Sequence, residues 1–154
     1  MTPRMELRQA NETDLDLAKE AHHAAYRGVV ERQFGTWDES AQDGFFLTEW
    51  DPSKAEVVVA DGEDCGYWVV ERRELDVHLR ELVIHPRCQG RGVGTWLIRS
   101  LQREAAAADL PIRLGTFHKN RAAVLYRRLG FREIGSTETH VLMEWKPESG
   151  WRAD

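Results

Sequence analysis

A strand that runs into a glycine-rich turn and then into a helix is the feature that most constrains this chain. It spans residues 81–95, with the sequence Glu-Leu-Val-Ile-His-Pro-Arg-Cys-Gln-Gly-Arg-Gly-Val-Gly-Thr. Glycines let the backbone approach an anion without an intervening Cβ, and the first N–H groups of a helix have no partner inside it. The helix dipole adds to this preference for phosphate. The segment therefore predicts an anion site, beside which Arg87 and Arg91 add positive charge.

Two common nucleotide motifs do not fit this turn. The Walker A motif needs a Gly-Lys pair, which the chain lacks, and the Rossmann fingerprint needs a glycine where Thr95 stands. The alternative to a phosphate site is that the glycines only make a tight connection between a strand and a helix.

Hydrophobic periodicity predicts the element order β-α-α-β-β-β-α-β-α-β-β. The predicted strands cover 4–9, 56–60, 65–72, 77–85, 112–117, 131–134 and 140–145, and the predicted helices run from 15 to about 27, from about 38, from 92 to about 109, and over 120–129. Hairpins followed by β-α-β-α-β indicate an α/β (α+β) fold with one mixed sheet and helices on both faces. We expect a single domain over 1–146 and a short flexible tail over 147–154.

Composition narrows the possible partners and surroundings. The 154 residues carry a net charge of -5, which disfavours binding of a nucleic-acid backbone. No apolar run approaches the ~20 residues of a membrane span, and the N-terminus does not resemble a signal peptide. Cys65 and Cys88 form no metal-binding motif, so we expect no metal and two reduced thiols. These features predict a cytoplasmic protein.

Two motifs resemble those of one enzyme family. Gln89-x-x-Gly92-x-Gly94 matches a pyrophosphate motif and follows a strand that ends in an apolar-His-Pro stretch. Residues 120–131 match a second motif, Asn…Leu-Tyr-x-x-x-Gly-Phe. On these motifs and on the element order, the chain resembles the GNAT-superfamily acyl-CoA-dependent N-acetyltransferases over nearly its whole length.

The resemblance implies that acetyl-CoA is the co-substrate and that no metal takes part. Backbone amides of the turn would bind the pyrophosphate, and the pantetheine arm would pair with the central strand as an added strand. The residues that the resemblance assigns to cofactor binding are Leu82, Val83, Ile84, Gln89, Gly90, Arg91, Gly92, Val93, Gly94, Thr95, Asn120 and Tyr126.

The resemblance also implies catalytic roles. A backbone N–H near Val83 would stabilise the tetrahedral oxyanion, and Tyr126 would protonate the leaving thiolate. Asn120 lies six residues before Tyr126, whereas many family members have seven. The alternative for Tyr126 is an aromatic side chain packed in the core.

Glu81 is the candidate general base, because it lies two residues before Val83 and strand periodicity places both on one face. The alternative is an ion pair with Arg80 or Arg113. His118 is a second candidate base, and a water-mediated proton transfer is the third option. His22 and His23 are not expected to form a metal-binding pair, since adjacent helical residues point apart.

The segment from Tyr26 to Trp50 is expected to cover the acceptor side. Its aromatic residues (Tyr26, Phe34, Trp37, Phe45, Phe46, Trp50) and its acidic residues (Asp38, Asp43, Glu49) would suit a cationic amine. The alternative is that the aromatic residues form core.

The predicted function is transfer of an acetyl group from acetyl-CoA to a primary amine of a small molecule or peptide, by direct attack through a tetrahedral intermediate. The alternative is a non-catalytic acyl-CoA-binding or regulatory module of the same fold. A homodimer is possible, and neither nucleic acid nor membrane is an expected partner.

Overall fold

The computed structural model describes residues 3–147. Within this range the chain forms seven strands and four α-helices. The strands are β1 Met5–Gln9, β2 Ala55–Ala60, β3 Glu63–Arg72, β4 Val77–Ile84, β5 Ile112–Phe117, β6 Arg132–Ser136 and β7 His140–Trp145, and the helices are α1 Leu15–Phe34, α2 Glu39–Glu49, α3 Val93–Ala107 and α4 Ala122–Arg128. This is the predicted order. The predicted flexible tail lies, apart from Pro147, outside the described residues.

The strands form one sheet in the order β1-β2-β3-β4-β5-β7-β6. β4 and β5 pair in parallel, whereas β1 with β2, β2 with β3, β5 with β7 and β6 with β7 pair antiparallel. The sheet is therefore mixed, and the predicted fold class is confirmed. Among the described residues, the ladder of β4 with β5 has two residue pairs, Val77–Ile112 and His78–Arg113.

The chain divides into two compact units, of which the first comprises Met1–Val69 and Glu81–Val93. Its core packs Ala18 and Ala21 of α1 and Phe46 of α2 against sheet residues such as Tyr67 and Val83. Small alanines on α1 let the helix backbone lie close to the sheet.

Helix α1 is longer than the sequence predicts. The prediction ended it near Arg27, but it continues through the buried residues Val29 and Val30. It ends at Gly35, whose φ of 94° is a conformation that glycine adopts readily.

A disulfide between Cys65 and Cys88 contradicts the prediction of reduced thiols. The two cysteines lie 23 residues apart, so the sequence does not indicate that they pair. Strand β3 and the turn after β4 place their Cα atoms 5.7 Å apart. Both side chains are buried. The cytoplasmic location loses this support and stays a prediction.

The second unit comprises Val70–Arg80 and Gly94–Asp154. Helix α3 buries Leu97, Ile98 and Leu101, spaced as one helical face. The Gln102 amide donates a buried 2.8 Å hydrogen bond to the Leu129 carbonyl after α4. The expected single domain over 1–146 stays a prediction.

Candidate active site

The glycine turn between β4 and α3 has the backbone form that an anion site needs. Gly90 and Gly92 have φ values of 78° and 80°, which L residues rarely adopt. A Cβ built at either position would have no atom within 4 Å. Helix α3 begins directly after the turn, at Val93. The turn therefore offers open space beside backbone N–H groups that have no partner within the helix.

The arginines beside the turn are bound to a carboxylate. Arg91 Nη1 lies 2.9 Å from Glu63 Oε1, and Arg87 Nε lies 3.1 Å from Glu63 Oε2. These two guanidinium groups lower the pKa of Glu63 below its ordinary value. The expected positive charge is thus partly neutralised, and backbone amides remain the main anion ligands that the turn offers.

Hydrogen bonds and the disulfide fix the shape of the turn. The Gln89 side-chain amide donates to the backbone carbonyl of Ile84, the last residue of β4, at 3.1 Å. The His85 N–H donates to the Cys65 carbonyl at 2.8 Å, and the disulfide joins the same part of β3 to Cys88. The turn is thereby attached to β3 at two neighbouring points.

The backbone N–H and C=O groups of β4 point alternately toward β3 and away from it. The Val83 carbonyl oxygen points at Gly66 of β3, where a Cβ would clash with it. In a regular strand the N–H and C=O of one residue point to the same edge, and those of its neighbours point to the other. The backbone groups of Leu82 and Ile84 therefore belong to the edge away from β3, whereas those of Val83 face β3.

Glu81 lies among titratable groups of the first unit. Its Oε1 accepts a 3.2 Å hydrogen bond from the Tyr67 hydroxyl and lies 3.9 Å from His22 Nε2. Burial, and next the Glu81 charge, raise the pKa of Tyr67, so the phenol stays protonated. Val83 packs in the same core cluster as Tyr67, which places Glu81 and Val83 on one face of β4, as predicted.

His22 and His23 touch each other, so the prediction that they point apart is wrong. Their Nδ1 atoms lie 2.9 Å apart. Both rings turn toward Phe46 of α2, at centroid distances of 5.3 and 6.2 Å, and this shared packing brings neighbouring side chains together. Burial, together with the neighbouring His23, lowers the pKa of His22 to about 4.

A surface carboxylate completes this cluster. His23 Nε2 lies 2.7 Å from Asp43 Oδ1, and Lys19 Nζ lies 3.2 Å from the same oxygen. The hydrogen bond from His23, and then Lys19, lower the pKa of Asp43. Ligand atoms of His23, Glu39 and Asp43 lie within 4.8 Å of one another, a spacing that a metal ion could bridge. The Lys19 ammonium group already occupies one side of Asp43.

Four of the six aromatic residues of the expected acceptor segment divide into two groups. Phe46 is buried and stacks on Trp50, which meets Tyr67 edge-on at 5.1 Å. Phe34 and Phe45 are instead 53% and 63% exposed. The core alternative therefore holds for Phe46 and Trp50 and fails for the other two.

The second unit holds the remaining predicted site residues. Tyr126 is 5% exposed, packs against Phe131, and has a pKa raised by burial. Asn120 Oδ1 accepts from the Ala122 N–H at 2.9 Å and caps the start of α4. His118 Nε2 contacts the Thr137 carbonyl at 2.8 Å, which makes that nitrogen a donor rather than a base.

The ion pairs of Arg113 bear on the alternative role for Glu81. Arg113 binds Glu144 at 2.9 Å and Asp76 at 3.2 Å. These two carboxylates account for the guanidinium group without Glu81.

None of the helices in the described part of the chain is long and apolar enough to cross a membrane.

Comparisons with known proteins agree with this architecture. A model described as an acetyltransferase (GNAT) domain matches residues 53–133, more than half of the chain. An uncharacterized N-acetyltransferase from Methanocaldococcus jannaschii is 28% identical over 141 residues, covering 82% of this chain. The chain spans about 60% of the length of that relative.

Solved structures share the fold at low identity. The PaiA N-acetyltransferase from Thermoplasma acidophilum, in complex with coenzyme A, has a TM-score of 0.75 at 16% identity, covering 93% of this chain and 99% of that one. The ribosomal-protein-S18-alanine N-acetyltransferase from Escherichia coli has a TM-score of 0.66 at 18% identity, covering 96% and 97%. At these identities the likeness establishes the fold alone.

Proposed function

Because the chain belongs to the GNAT acetyltransferase family, we propose that it transfers an acetyl group from acetyl-CoA to a primary amine of a small molecule or peptide. The observation that carries the proposal is the glycine turn. Gly90 and Gly92 leave open space where any other residue would place a Cβ, directly before the N-terminus of α3. This is the geometry in which backbone N–H groups bind a pyrophosphate.

Coenzyme A suits the donor set of the turn. Its pyrophosphate needs several N–H donors in a shallow concave backbone, and the segment Gln89–Thr95 supplies them with no side chain at three of its positions. The ion pairs of Arg87 and Arg91 with Glu63 leave the backbone as the main contributor. The complex of the PaiA enzyme with coenzyme A supports this choice of ligand.

The pantetheine arm is proposed to pair with β4. The ladder of β4 with β5 ends at His78, so Leu82 and Ile84 lie beyond it. Their backbone groups belong to the edge away from β3. Those of Leu82 and the Ile84 N–H can pair with an extended ligand as an added strand, whereas the Ile84 carbonyl already accepts from Gln89. We accordingly place the oxyanion donor in a backbone N–H next to Val83 rather than in Val83 itself, whose carbonyl faces Gly66.

In the proposed reaction the amine nitrogen attacks the thioester carbonyl carbon. A C–N bond forms, the tetrahedral oxyanion is held by the β4 amide, and the C–S bond then breaks. Glu81 takes the proton that the amine loses. Its position beside Tyr67 and His22, on the same face as Val83, supports this assignment.

Tyr126 is proposed to stabilise the leaving sulfur. Its raised pKa keeps the phenol protonated, so it can donate a hydrogen bond throughout the reaction. The same raised pKa makes complete transfer to a thiolate uphill, which favours hydrogen-bond donation over full protonation. Asn120 caps α4 through Oδ1, and we propose that its Nδ2 group contacts the cofactor arm.

The alternative is an acyl-CoA-binding module without catalysis, and two measurements separate the candidates. Melting temperatures are recorded with acetyl-CoA, CoA, ATP and NAD in excess. A ligand at 100 times its Kd adds about 2.7 kcal/mol, so binding is readily visible. A rise with both CoA species alone supports the site, and no rise contradicts it. Release of CoA on addition of an amine then distinguishes the enzyme from the module.

A further inference from the structure

A continuous series of titratable groups runs from Glu81 to the protein surface. Glu81 Oε1 lies 3.9 Å from His22 Nε2, His22 Nδ1 lies 2.9 Å from His23 Nδ1, and His23 Nε2 lies 2.7 Å from Asp43 Oδ1. The first gap exceeds a hydrogen bond, so proton transfer across it requires the Glu81 carboxylate to move toward His22 or a water to bridge the two groups. Each imidazole thus uses one nitrogen toward Glu81 and the other toward Asp43.

These contacts allow two arrangements of the same protons. In the first, Glu81 is protonated, His22 donates from Nδ1 to His23, and His23 donates from Nε2 to Asp43. In the second, His22 carries its proton on Nε2, His23 carries its proton on Nδ1, and Asp43 is protonated. The arrangements differ by one shift of every proton, so the net result is transfer from Glu81 to Asp43 without a charged histidine on either side of the step.

We propose that His22 and His23 form a proton relay that carries to Asp43, and from there to water, the proton that the amine loses to Glu81. The inference rests on the proposed function, since Glu81 must first act as the base. It assigns roles to residues that act through Glu81 and do not touch the substrate. After each turnover Asp43 loses its proton to water, and proton exchange with solvent returns both histidines to their first tautomers. Glu81 is then ionised and takes its next proton from the next amine.

The inner end of the series is shielded from solvent. On the inner side, Phe46, Tyr26 and the Tyr67 hydroxyl surround His22 and Glu81, and His22 is only 15% exposed. Burial lowers the pKa of His22 to about 4, so this imidazole is neutral at physiological pH and its Nε2 lone pair can accept a proton.

The outer end of the series opens to solvent. His23 lines an open cleft of about 420 Å³, and Asp43 is 32% exposed. The charged groups at this end include Lys19, 3.2 Å from Asp43, and Glu39, whose carboxylate lies within 4.8 Å of His23 and Asp43. The same cleft is also lined by Asp16, Glu20 and Arg27. The hydrogen bond from His23, and then Lys19, lower the pKa of Asp43, so a protonated Asp43 releases its proton to water.

The first test is kinetic and compares His23→Ala with His78→Ala. His78 is the matched control, since it is a partly exposed histidine paired with a carboxylate, Glu71 at 3.0 Å, outside the relay. We expect His23→Ala to lower kcat by about 10²-fold, the lower end of a general-base contribution, with KM for acetyl-CoA unchanged. Imidazole in the buffer should restore kcat in this variant only. A loss that imidazole does not restore, or a kcat equal to that of the control, overturns the relay.

A second test needs no turnover, so it separates failure of the relay from failure of the proposed function. Long-range ¹H–¹⁵N spectra of the histidine rings show which nitrogen carries the proton. We expect neutral His22 with its proton on Nδ1 down to about pH 4, and shifts in both rings on Asp43→Asn. Two rings that titrate independently of each other and of Asp43 overturn the relay, whether or not acetyl transfer occurs.

A rate measurement tests the proposed base itself. A normal rate in Glu81→Gln refutes Glu81 as the base, and the relay with it.

Discussion

Alanine at Gly92 separates the cofactor role of the glycine turn from its structural role. Gly92 has a φ of 80°, and Gly62, in the turn between β2 and β3, has a φ of 79°. A Cβ at either position would meet no atom within 4 Å. The two substitutions therefore impose the same conformational cost, about 1 kcal/mol, because L residues disfavour this backbone region. For a chain of this length, each should lower Tm by about 2–4 °C.

Only Gly92→Ala is expected to weaken binding of CoA. Its methyl group would project into the open space where the pyrophosphate is proposed to lie and would separate a phosphate oxygen from a backbone N–H. A hydrogen bond to a charged group contributes about 1.5–3 kcal/mol, which corresponds to roughly 10- to 150-fold in Kd. Calorimetric titration of the wild type, Gly92→Ala and Gly62→Ala with CoA measures this. Unchanged CoA affinity in Gly92→Ala, or equal losses of affinity in both variants, would refute the proposed pyrophosphate site at the glycine turn.

Three further outcomes follow from named contacts. Tyr126→Phe keeps the packing on Phe131 and should lower kcat by about 10²-fold. Because the hydroxyl is also proposed to contact the CoA sulfur, CoA affinity should fall by much less than kcat, as steady-state rates and calorimetry would show. Reduction of the Cys65–Cys88 disulfide, which links residues 23 apart in sequence, should lower the free energy of unfolding by roughly 3 kcal/mol and Tm by about 6–12 °C. Thiol titration confirms that reduction is complete, and an unchanged Tm in the fully reduced protein would contradict this prediction. The pKa of Asp14 is lowered by its hydrogen bonds from Arg8, so its stabilisation is present above the ordinary value of 3.8 and is lost as pH falls through the lower folded-state value. Denaturant melts of Asp14→Asn should therefore show a weaker loss of stability in acid than the wild type, and identical acid limbs would count against the pair.

The sequence predicts those elements well whose signals are local. β5 and β7 have the predicted bounds, because alternating apolar residues are interrupted there by clear turn residues. Helix α1 is mispredicted at its end for a local reason as well. The prediction ends it near Arg27, yet Gly28 lies inside the helix, which ends only at the left-handed conformation of Gly35.

Contacts between distant residues are the part that the sequence does not predict. Cys65 and Cys88 give no spacing motif, and only the pairing of β3 with the turn after β4 shows that they meet. The contact between His22 and His23 also depends on tertiary packing, because Phe46 of α2 turns both rings the same way. The neutralisation of Arg87 and Arg91 by Glu63 is a third case.

The candidate site divides in the same way. The glycine turn is visible in the sequence because a backbone conformation restricts residue type at its own position. Glu81 is visible through strand alternation. The groups around Glu81 come from α1, α2 and β3, so no periodicity in β4 could have indicated them.

Acetyl transfer itself is the most direct test of this account. The chain is incubated with acetyl-CoA and a panel of small primary amines and peptides, and free CoA and the acetylated amine are quantified together. We predict equal amounts of both products for at least one amine, with the rate sharply reduced in Glu81→Gln and Gly92→Ala. Binding of acetyl-CoA without any acetylated amine across the panel would contradict the enzyme and support the non-catalytic module instead.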